Sequence, residues 1–186
     1  CTIAELIIRE NFPINQRGPL MEVLISNRQK LVEVDLDQVR EVALEIMRFE
    51  ASPENAELSL VFCDDDFIQK LNKDFRGKSE PTDVLSFPID EESFEAEVRV
   101  LGDIVISTET AMRQAESFKH PPMLEIIFLL IHGLLHLHGY DHIQKTQRKR
   151  MRDREVTIFQ HLCDRRLLKC IVGMPDPLIK RVTENE

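Results

Sequence analysis

The sequence predicts a single α+β domain, with one mixed sheet of about four strands packed against about five helices. Hydrophobic residues make up 42% and charged residues 31% of its 186 residues, which is typical of a folded globular chain with a sizeable core. Short apolar segments alternate with segments whose apolar residues recur every three or four positions. Their order, β-α-β-α-β-β-α-α-α, is typical of one sheet with helices packed on it.

The first half of the domain predicts two strands and two helices. A strand is expected over residues 22–26, and Asp35 precedes a segment with helical apolar spacing. Residues 58–63 are rich in apolar side chains, as in a buried strand. Asp64 can cap the next helix, and Gly77 can end it because glycine readily adopts the left-handed backbone conformation.

The second half predicts two further strands and three helices. Prolines bound a short strand over residues 81–88, since proline cannot donate a ladder hydrogen bond, and a longer strand is expected over 98–106. A helix should start at Ser107 or Thr108 and run to about Lys119. Pro121 and Pro122 open an apolar helix that contains histidines. The last amphipathic helix is expected over residues 144–170.

The domain itself is expected over residues 21–170. Residues 1–20 contain an apolar stretch that no positively charged segment precedes, so they resemble an extension rather than a secretory signal. Residues 171–186 contain two prolines and many charges and are interpreted as a tail.

The segment His-Gly-Leu-Leu-His-Leu-His-Gly-Tyr-Asp-His, residues 132–142, predicts a metal site. His132 and His136 would lie ~40° apart on one helix face. Gly139 can end the helix, so that the chain turns and His142 returns to the same face. Three imidazoles would leave a fourth coordination position for water or substrate. The competing interpretation is a structural one, but burying three imidazoles without a common partner would cost about 1–3 kcal/mol for each unpaired nitrogen.

The other three histidines are not expected to bind metal. His138 would lie ~200° from His136, on the opposite side of the helix. His120 and His161 have no histidine neighbours and are interpreted as structural or solvated.

The net charge of −9 argues against a chain that coats nucleic acid through its overall field. Basic residues nevertheless concentrate directly after the histidine segment, over residues 145–154. Such a run is often only a solvated helix face, but its position favours a phosphate-contacting surface. The residues assigned to this surface, as candidate RNA contacts, are Lys145, Arg148, Lys149 and Arg152.

The cysteines and the apolar segments predict an intracellular protein without a membrane span. The four cysteines form no Cys-x-x-Cys pair, so neither a disulfide framework nor a disulfide-linked partner is expected, and a reducing cytoplasm is the default location. The longest nearly unbroken apolar stretch, residues 126–137, is too short to cross a bilayer.

The chain resembles the endoribonuclease YbeY family in three motifs. Residues 132–142 match the family pattern His-Gly-x-Leu-His-Leu-x-Gly-Tyr-Asp-His at every specified position. An upstream motif appears as Asn72, Arg76 and then Pro-Thr-Asp-Val-Leu-Ser-Phe-Pro over residues 81–88. A third resembles Leu-Gly-Asp-Ile over residues 101–104. The resemblance extends from about Met21 to at least Arg165.

The resemblance implies a metal-dependent endoribonuclease that carries one zinc ion on His132, His136 and His142. It implies cleavage of RNA during maturation of small-subunit ribosomal RNA and in ribosome quality control. Arg76 would correspond to an arginine important for activity, and with His132 it forms the expected catalytic pair. The implied partners are RNA, the small ribosomal subunit and the ribosome-associated GTPase Era.

Two other functions compete with RNA cleavage. Metzincin proteases share the histidine spacing, but they carry a glutamate as general base where this chain has Gly133, so peptide hydrolysis ranks lower. The zinc could instead be structural, in a non-catalytic ribosome-assembly factor that docks through the basic helix. Three histidines favour catalysis, because structural zinc sites normally close with four protein ligands.

Several details of the chemistry stay open at the level of sequence. Asp83, Asp103 and Asp141 are candidates for orienting a ligand imidazole through its second nitrogen, although Asp83 could equally cap a turn with Thr82. Arg76 could form a surface ion pair with Asp74 or Glu80 instead of binding phosphate. The attacking group could be water or a ribose 2′-hydroxyl.

Overall fold

The computed structural model describes residues 20–89 and 98–168, where the chain forms four strands and five helices. The strands are β1 (Glu22–Asn27), β2 (Ala56–Cys63), β3 (Val84–Pro88) and β4 (Arg99–Ser107). The helices are α1 (Leu36–Phe49), α2 (Asp65–Arg76), α3 (Thr108–Phe118), α4 (Pro122–Leu137) and α5 (Lys145–Asp164). This confirms the predicted α+β class and the order of the elements. The predicted extension, apart from Leu20, and the predicted tail lie outside the described residues.

The four strands form one mixed sheet in the order β1-β2-β4-β3. The first three are mutually parallel, and β3 pairs antiparallel with β4 at the edge. The central strand β2 is buried on both faces, which explains its nearly continuous run of apolar residues. The sequence predicted a mixed sheet, but the order of the strands follows from the tertiary structure.

Alternate residues of β4 serve two separate hydrophobic cores. Ile104 and Ile106 belong to the larger core, which also contains residues of α1, α4 and α5. Val105 points to the opposite face and joins a smaller core with Ile68 of α2. Helix α4 therefore lies on one side of the sheet and α2 on the other.

Two glycines allow close approach around β3 and β4. A Cβ atom at Gly133 of α4 would lie 3.0 Å from two carbons of Ile104 and 3.1 Å from the Ser86 Oγ atom. At Gly102, next to an irregularity in the β2–β4 register, φ is +143° and a Cβ atom would lie 2.3 Å from the Phe87 carbonyl oxygen. Close packing against the sheet is therefore the physical reason for glycine directly after His132.

The predicted helix boundaries are correct at α2 and wrong at the end of α5. The Asp64 carboxylate accepts a hydrogen bond from Phe67 N at 2.8 Å, and Gly77 ends α2 with a φ of +71°. Helix α5 was expected to reach residue 170 but ends at Asp164. Arg166 has a φ of +57°, a left-handed conformation that terminates a helix irrespective of the apolar pattern beyond it.

No single helix within residues 20–89 and 98–168 is long and apolar enough to span a membrane. Helices α3 and α4, which meet at a bend of 113°, would pass that test only as a pair.

Candidate metal centre

Helix α4 and the loop after it bring the three predicted histidines together. His132 and His136 lie one turn apart near the end of α4, and Gly139 follows with a φ of +80°. The ring centroids of His132 and His136 are 4.7 Å apart, and those of His142 are 5.4 and 5.0 Å from them. One nitrogen from each ring lies within 4.8 Å of the other two, so the cluster could hold a metal ion.

Two of the rings are held with their Nε2 atoms facing each other. The Nδ1 atom of His136 lies 3.0 Å from the Tyr140 carbonyl oxygen, and that of His132 lies 2.8 Å from Glu155 Oε1. A carbonyl oxygen and a carboxylate can only accept, so each Nδ1 donates and each neutral ring keeps a lone pair on Nε2.

The distance between those two lone pairs fits a cation. The Nε2 atoms of His132 and His136 are 3.1 Å apart, and two lone pairs at that distance repel unless a proton or a cation lies between them. Tetrahedral zinc with bonds of about 2.0–2.1 Å would place two ligand nitrogens ~3.3 Å apart. The donor set therefore fits zinc at His132 and His136, and His142 completes it more loosely.

Glu155 is a member of the site that the sequence reasoning missed. It lies on α5, 23 positions after His132, and its side chain is about one-third exposed. The residues four before and three after it, Met151 and Ile158, are both buried. A carboxylate on the apolar face of an amphipathic helix was the signal that could have identified it.

Burial and charge keep His136 neutral. Its pKa falls from 6.5 to about 4, first because burial disfavours the charged ring and then because His132 and His142 would repel it. The hydrogen bond to the Tyr140 carbonyl and the nearby Asp141 act in the opposite direction. At neutral pH the Nε2 lone pair of His136 is thus available to a cation.

The three predicted aspartates do not orient the ligand rings in this structure. Asp83 accepts hydrogen bonds from Val84 N, Thr82 Oγ1 and Gln114 Nε2, so it orders the start of β3. Asp103 is two residues before Val105 on β4 and therefore faces α2, on the opposite side of the sheet from α4. Asp141 accepts from the His142 backbone N at 2.7 Å, so this hydrogen bond orders the loop, and Asp141 acts on the His136 ring only through its charge.

The remaining histidines have partners outside the cluster. His138 lies 2.8 Å from both the Leu134 carbonyl oxygen and Ser52 Oγ. His120 is buried with its Nε2 atom 3.0 Å from Glu125. His161 lies 2.8 Å from Glu45 and joins α5 to α1.

Arg76 is the exposed last residue of α2, which packs on the face of the sheet opposite to the histidine helix α4. Its neighbour Phe75 contacts Phe87 of β3 with ring centroids 5.0 Å apart. Ser86, the preceding residue of β3, faces Gly133 beside His132. Within the described part of the chain, none of the ion pairs involves Arg76, including the alternatives with Asp74 and Glu80.

The basic run on α5 divides between two sides of the helix. Arg150 lies over the Tyr140 ring at 5.1 Å, and Arg154 pairs with Glu50, so both serve the fold. On the other side, Arg148 donates from Nε to the carbonyl oxygen of His142 at 3.3 Å. Exposed Lys145 and Lys149 extend this side, and Arg152 lies one turn beyond Arg148.

Comparison with known proteins supports the resemblance seen in the motifs. The family model described as endoribonuclease YbeY matches residues 24–163. The chain is 43% identical over 148 residues to endoribonuclease YbeY of Pelotomaculum thermopropionicum, covering 76% of this chain and 97% of that protein. The Syntrophus aciditrophicus endoribonuclease YbeY is 45% identical over 123 residues, covering 66% and 76% respectively.

The fold also resembles that of a solved protein. The solution structure of TM1509 from Thermotoga maritima superposes with a TM-score of 0.50 at 20% identity, covering 84% of this chain and all of that one. The sequence motifs, the family model and the level of identity to these relatives agree. The chain belongs to the endoribonuclease YbeY family.

Proposed function

We propose that this protein is a zinc-dependent endoribonuclease that cleaves single-stranded RNA during small-subunit ribosomal RNA maturation and ribosome quality control. The observation that carries the proposal is the convergence of His132, His136 and His142. The name of its relatives supports RNA as the substrate. The small ribosomal subunit and the GTPase Era are the proposed partners, and the cytoplasm is the proposed location.

The arrangement of the cluster favours catalysis over a purely structural metal. Among the described residues, the cluster that could hold an ion consists of three histidines, and His142 is exposed. Zinc with three protein ligands supplies Lewis acidity toward a water or a phosphate oxygen. The alternative is a non-catalytic ribosome-assembly factor with a metal site, and a measurement of RNA cleavage by the zinc-loaded protein distinguishes the two.

The chain's own residues would orient both the metal-binding rings and the RNA phosphate. Glu155 and the Tyr140 carbonyl fix the rings of His132 and His136. The forked guanidinium of Arg76 would pair with the phosphate and stabilise charge that develops during cleavage. Lys145, Arg148, Lys149 and Arg152 would contact neighbouring phosphates of the strand.

The packing around Gly133 disfavours a metzincin-like protease. A Cβ atom there would already be 3.0 Å from Ile104, so a glutamate at this position would be directed into the sheet. The proton shuttle of those proteases therefore has no equivalent at position 133.

The decisive experiment compares zinc content and RNA cleavage for the parent and for His132→Ala. The parent should bind about one zinc per chain and cleave single-stranded RNA, and His132→Ala should lose both properties. His138→Ala removes an imidazole of the same segment from outside the cluster, so it serves as the matched control and should keep both. A zinc-loaded parent that binds ribosomal subunits but leaves RNA intact would establish the non-catalytic alternative instead.

A further inference from the structure

We infer that the exposed ring of Phe75 is a stacking platform for an unpaired base of the RNA strand. This inference rests on the proposed function, which it deepens by naming a contact for a base. The observation behind it is the exposure of the Phe75 ring to solvent.

Phe75 is unusual among the exposed apolar side chains. Within residues 20–89 and 98–168, five large hydrophobic residues are exposed, and Phe75 is the only aromatic one, with 59% of it accessible. Burial of an aromatic ring is among the larger hydrophobic contributions to stability. A phenylalanine left this exposed at the end of a helix is therefore a candidate contact for a partner.

The ring of Phe75 is supported from below. It meets Phe87 of β3 edge to face, with centroids 5.0 Å apart and an interplanar angle of 66°. Phe87 lies opposite Asp103 in the register of β3 and β4 and packs on the smaller core. The contact restricts Phe75 while leaving much of its surface to solvent, as a stacking platform requires.

The strand that supports Phe75 also borders the metal centre. Phe87 and Ser86 are consecutive in β3, so their side chains point to opposite faces of the sheet. Phe87 contacts Phe75, while Ser86 faces Gly133, which directly follows His132. The edge strand β3 thus contacts α2 beside Phe75 on one face and α4 beside His132 on the other, and the inferred path of the RNA strand crosses this edge.

The charge beside Phe75 suits a nucleic acid strand. Arg76 lies ~100° around α2 from Phe75, on the side of Asn72, whose side chain donates to the Glu80 carbonyl in the segment that leads to β3. Asp74 lies ~100° the other way. Arg76 thus faces the edge of the sheet, and exposed Lys78 follows it.

The end of α2 combines partly hydrogen-bonded carbonyl groups with exposed cations. The last carbonyl groups of a helix carry partial negative charge. Here Gly77 N and Lys78 N donate to the carbonyl oxygens of Lys73 and Asn72, at 3.0 and 3.3 Å. Beside these hydrogen-bonded carbonyls, the exposed side chains of Arg76 and Lys78 place two positive charges at the end of α2.

An aromatic ring next to cations is the combination that binds single-stranded nucleic acids, because every base has a face on which to stack. The test measures binding of a short single-stranded RNA, in chelator to suppress cleavage, to the parent, Phe75→Ala, Phe75→Leu and Phe75→Trp. Each protein is also titrated with RNAs that carry one abasic site at successive positions. Leu31→Ala, which truncates an exposed apolar residue elsewhere, is the matched control.

Phe75→Ala and Phe75→Leu should weaken binding by about 5- to 100-fold, while Phe75→Trp and Leu31→Ala should bind like the parent. With one abasic RNA the loss should disappear, because the base that stacks on the ring is already gone. Phe75→Leu keeps an apolar contact with Phe87, so its circular dichroism and melting temperature separate loss of stacking from misfolding.

The inference is wrong if Phe75→Leu binds every RNA as tightly as the parent, or if the loss is the same for intact and abasic RNAs. In both cases normal RNA cleavage by the parent would leave the proposed function standing. A parent that neither binds nor cleaves RNA would instead overturn the proposed function. In that case the exposed ring of Phe75 would be a contact for a protein partner and not for RNA.

Discussion

At the scale of single residues, the ligand rings depend on partners that hold their outer nitrogens. Glu155 accepts from His132 Nδ1 at 2.8 Å, and outer partners of this kind typically contribute a factor of about 10–100 to metal affinity. We therefore expect Glu155→Ala to lower zinc affinity by about that factor. A zinc-chelator competition titration measures it.

Asp153→Ala is the control for Glu155, since Asp153 is an exposed acid on the same helix but ~200° away from it. Equal zinc affinities for Asp153→Ala, Glu155→Ala and the parent would show that the carboxylate does not hold the ring.

Arg76 offers a second prediction at this scale. If its guanidinium stabilises charge on the phosphate as cleavage proceeds, Arg76→Ala should lower kcat by about 10²–10³-fold at full zinc occupancy. Arg76→Lys should recover only part of the loss, because an ammonium group cannot form the forked contact. Unchanged single-turnover cleavage by Arg76→Ala would remove this residue from the mechanism.

The depressed pKa of His136 predicts a pH-dependent stability of the metal-free chain. Because the pKa is about 4 in the folded state and about 6.5 when unfolded, the unfolded state binds more protons between these values. The free energy of unfolding should therefore fall as the pH drops from 6.5 to 4, by less than ~1.4 kcal/mol per pH unit for this partly exposed ring.

Urea titrations in chelator at several pH values measure this effect. His136→Gln lacks the titrating ring, so its stability should fall less over the same range. Parallel pH profiles for parent and variant would contradict the assignment of the effect to His136.

At the scale of secondary-structure elements, pairing of β3 with β4 depends on Gly102. A Cβ atom there would lie 2.3 Å from the Phe87 carbonyl oxygen, and the φ of +143° is strained for any other residue. Gly102→Ala should cost more than ~3 kcal/mol of unfolding free energy. Chemical denaturation gives the value.

Gly77→Ala is the matched control for this effect. Gly77 also has a positive φ, of +71°, but a Cβ atom there meets nothing within 4 Å. Its substitution should cost only about 1–2 kcal/mol, from the backbone conformation alone. Equal losses at both positions would mean that the close approach of β3 contributes nothing.

At the scale of the whole molecule, a chain with a net charge of −9 must bind RNA through local positive surfaces. Each phosphate contact to a single strand contributes about 0.7 to the slope of log affinity against log salt concentration. Lys145→Ala and Lys149→Ala should each reduce that slope by about this amount. The slope is obtained from the affinity for a single-stranded RNA measured at salt concentrations from about 50 to 200 mM, where affinities of this kind change strongly.

Lys30→Ala is the control for the basic surface of α5. Lys30 is an exposed lysine outside α5, in the segment that follows the edge strand β1. It should leave the slope unchanged. If Lys145→Ala and Lys149→Ala gave the same slope as Lys30→Ala, these two basic residues of α5 would not contact RNA phosphates.

The sequence by itself determined the local features of this protein. Local backbone preferences of a few neighbouring residues suffice to predict these features. They are the order of the elements, the capping residues Asp64 and Gly77, and the spacing of the three histidines. The turn at Gly139 is of the same kind, since it needs only a residue that tolerates positive φ.

Only the tertiary structure decided which distant residues meet. Glu155 reaches His132 because α5 packs beside α4, and Asp103 is excluded because strand alternation turns it toward α2. The order of the strands makes β3 an edge strand, and packing of the helices on the sheet brings Phe75 to Phe87 and Gly133 to Ser86. Such contacts are set by the packing of a whole core, which no short stretch of sequence encodes.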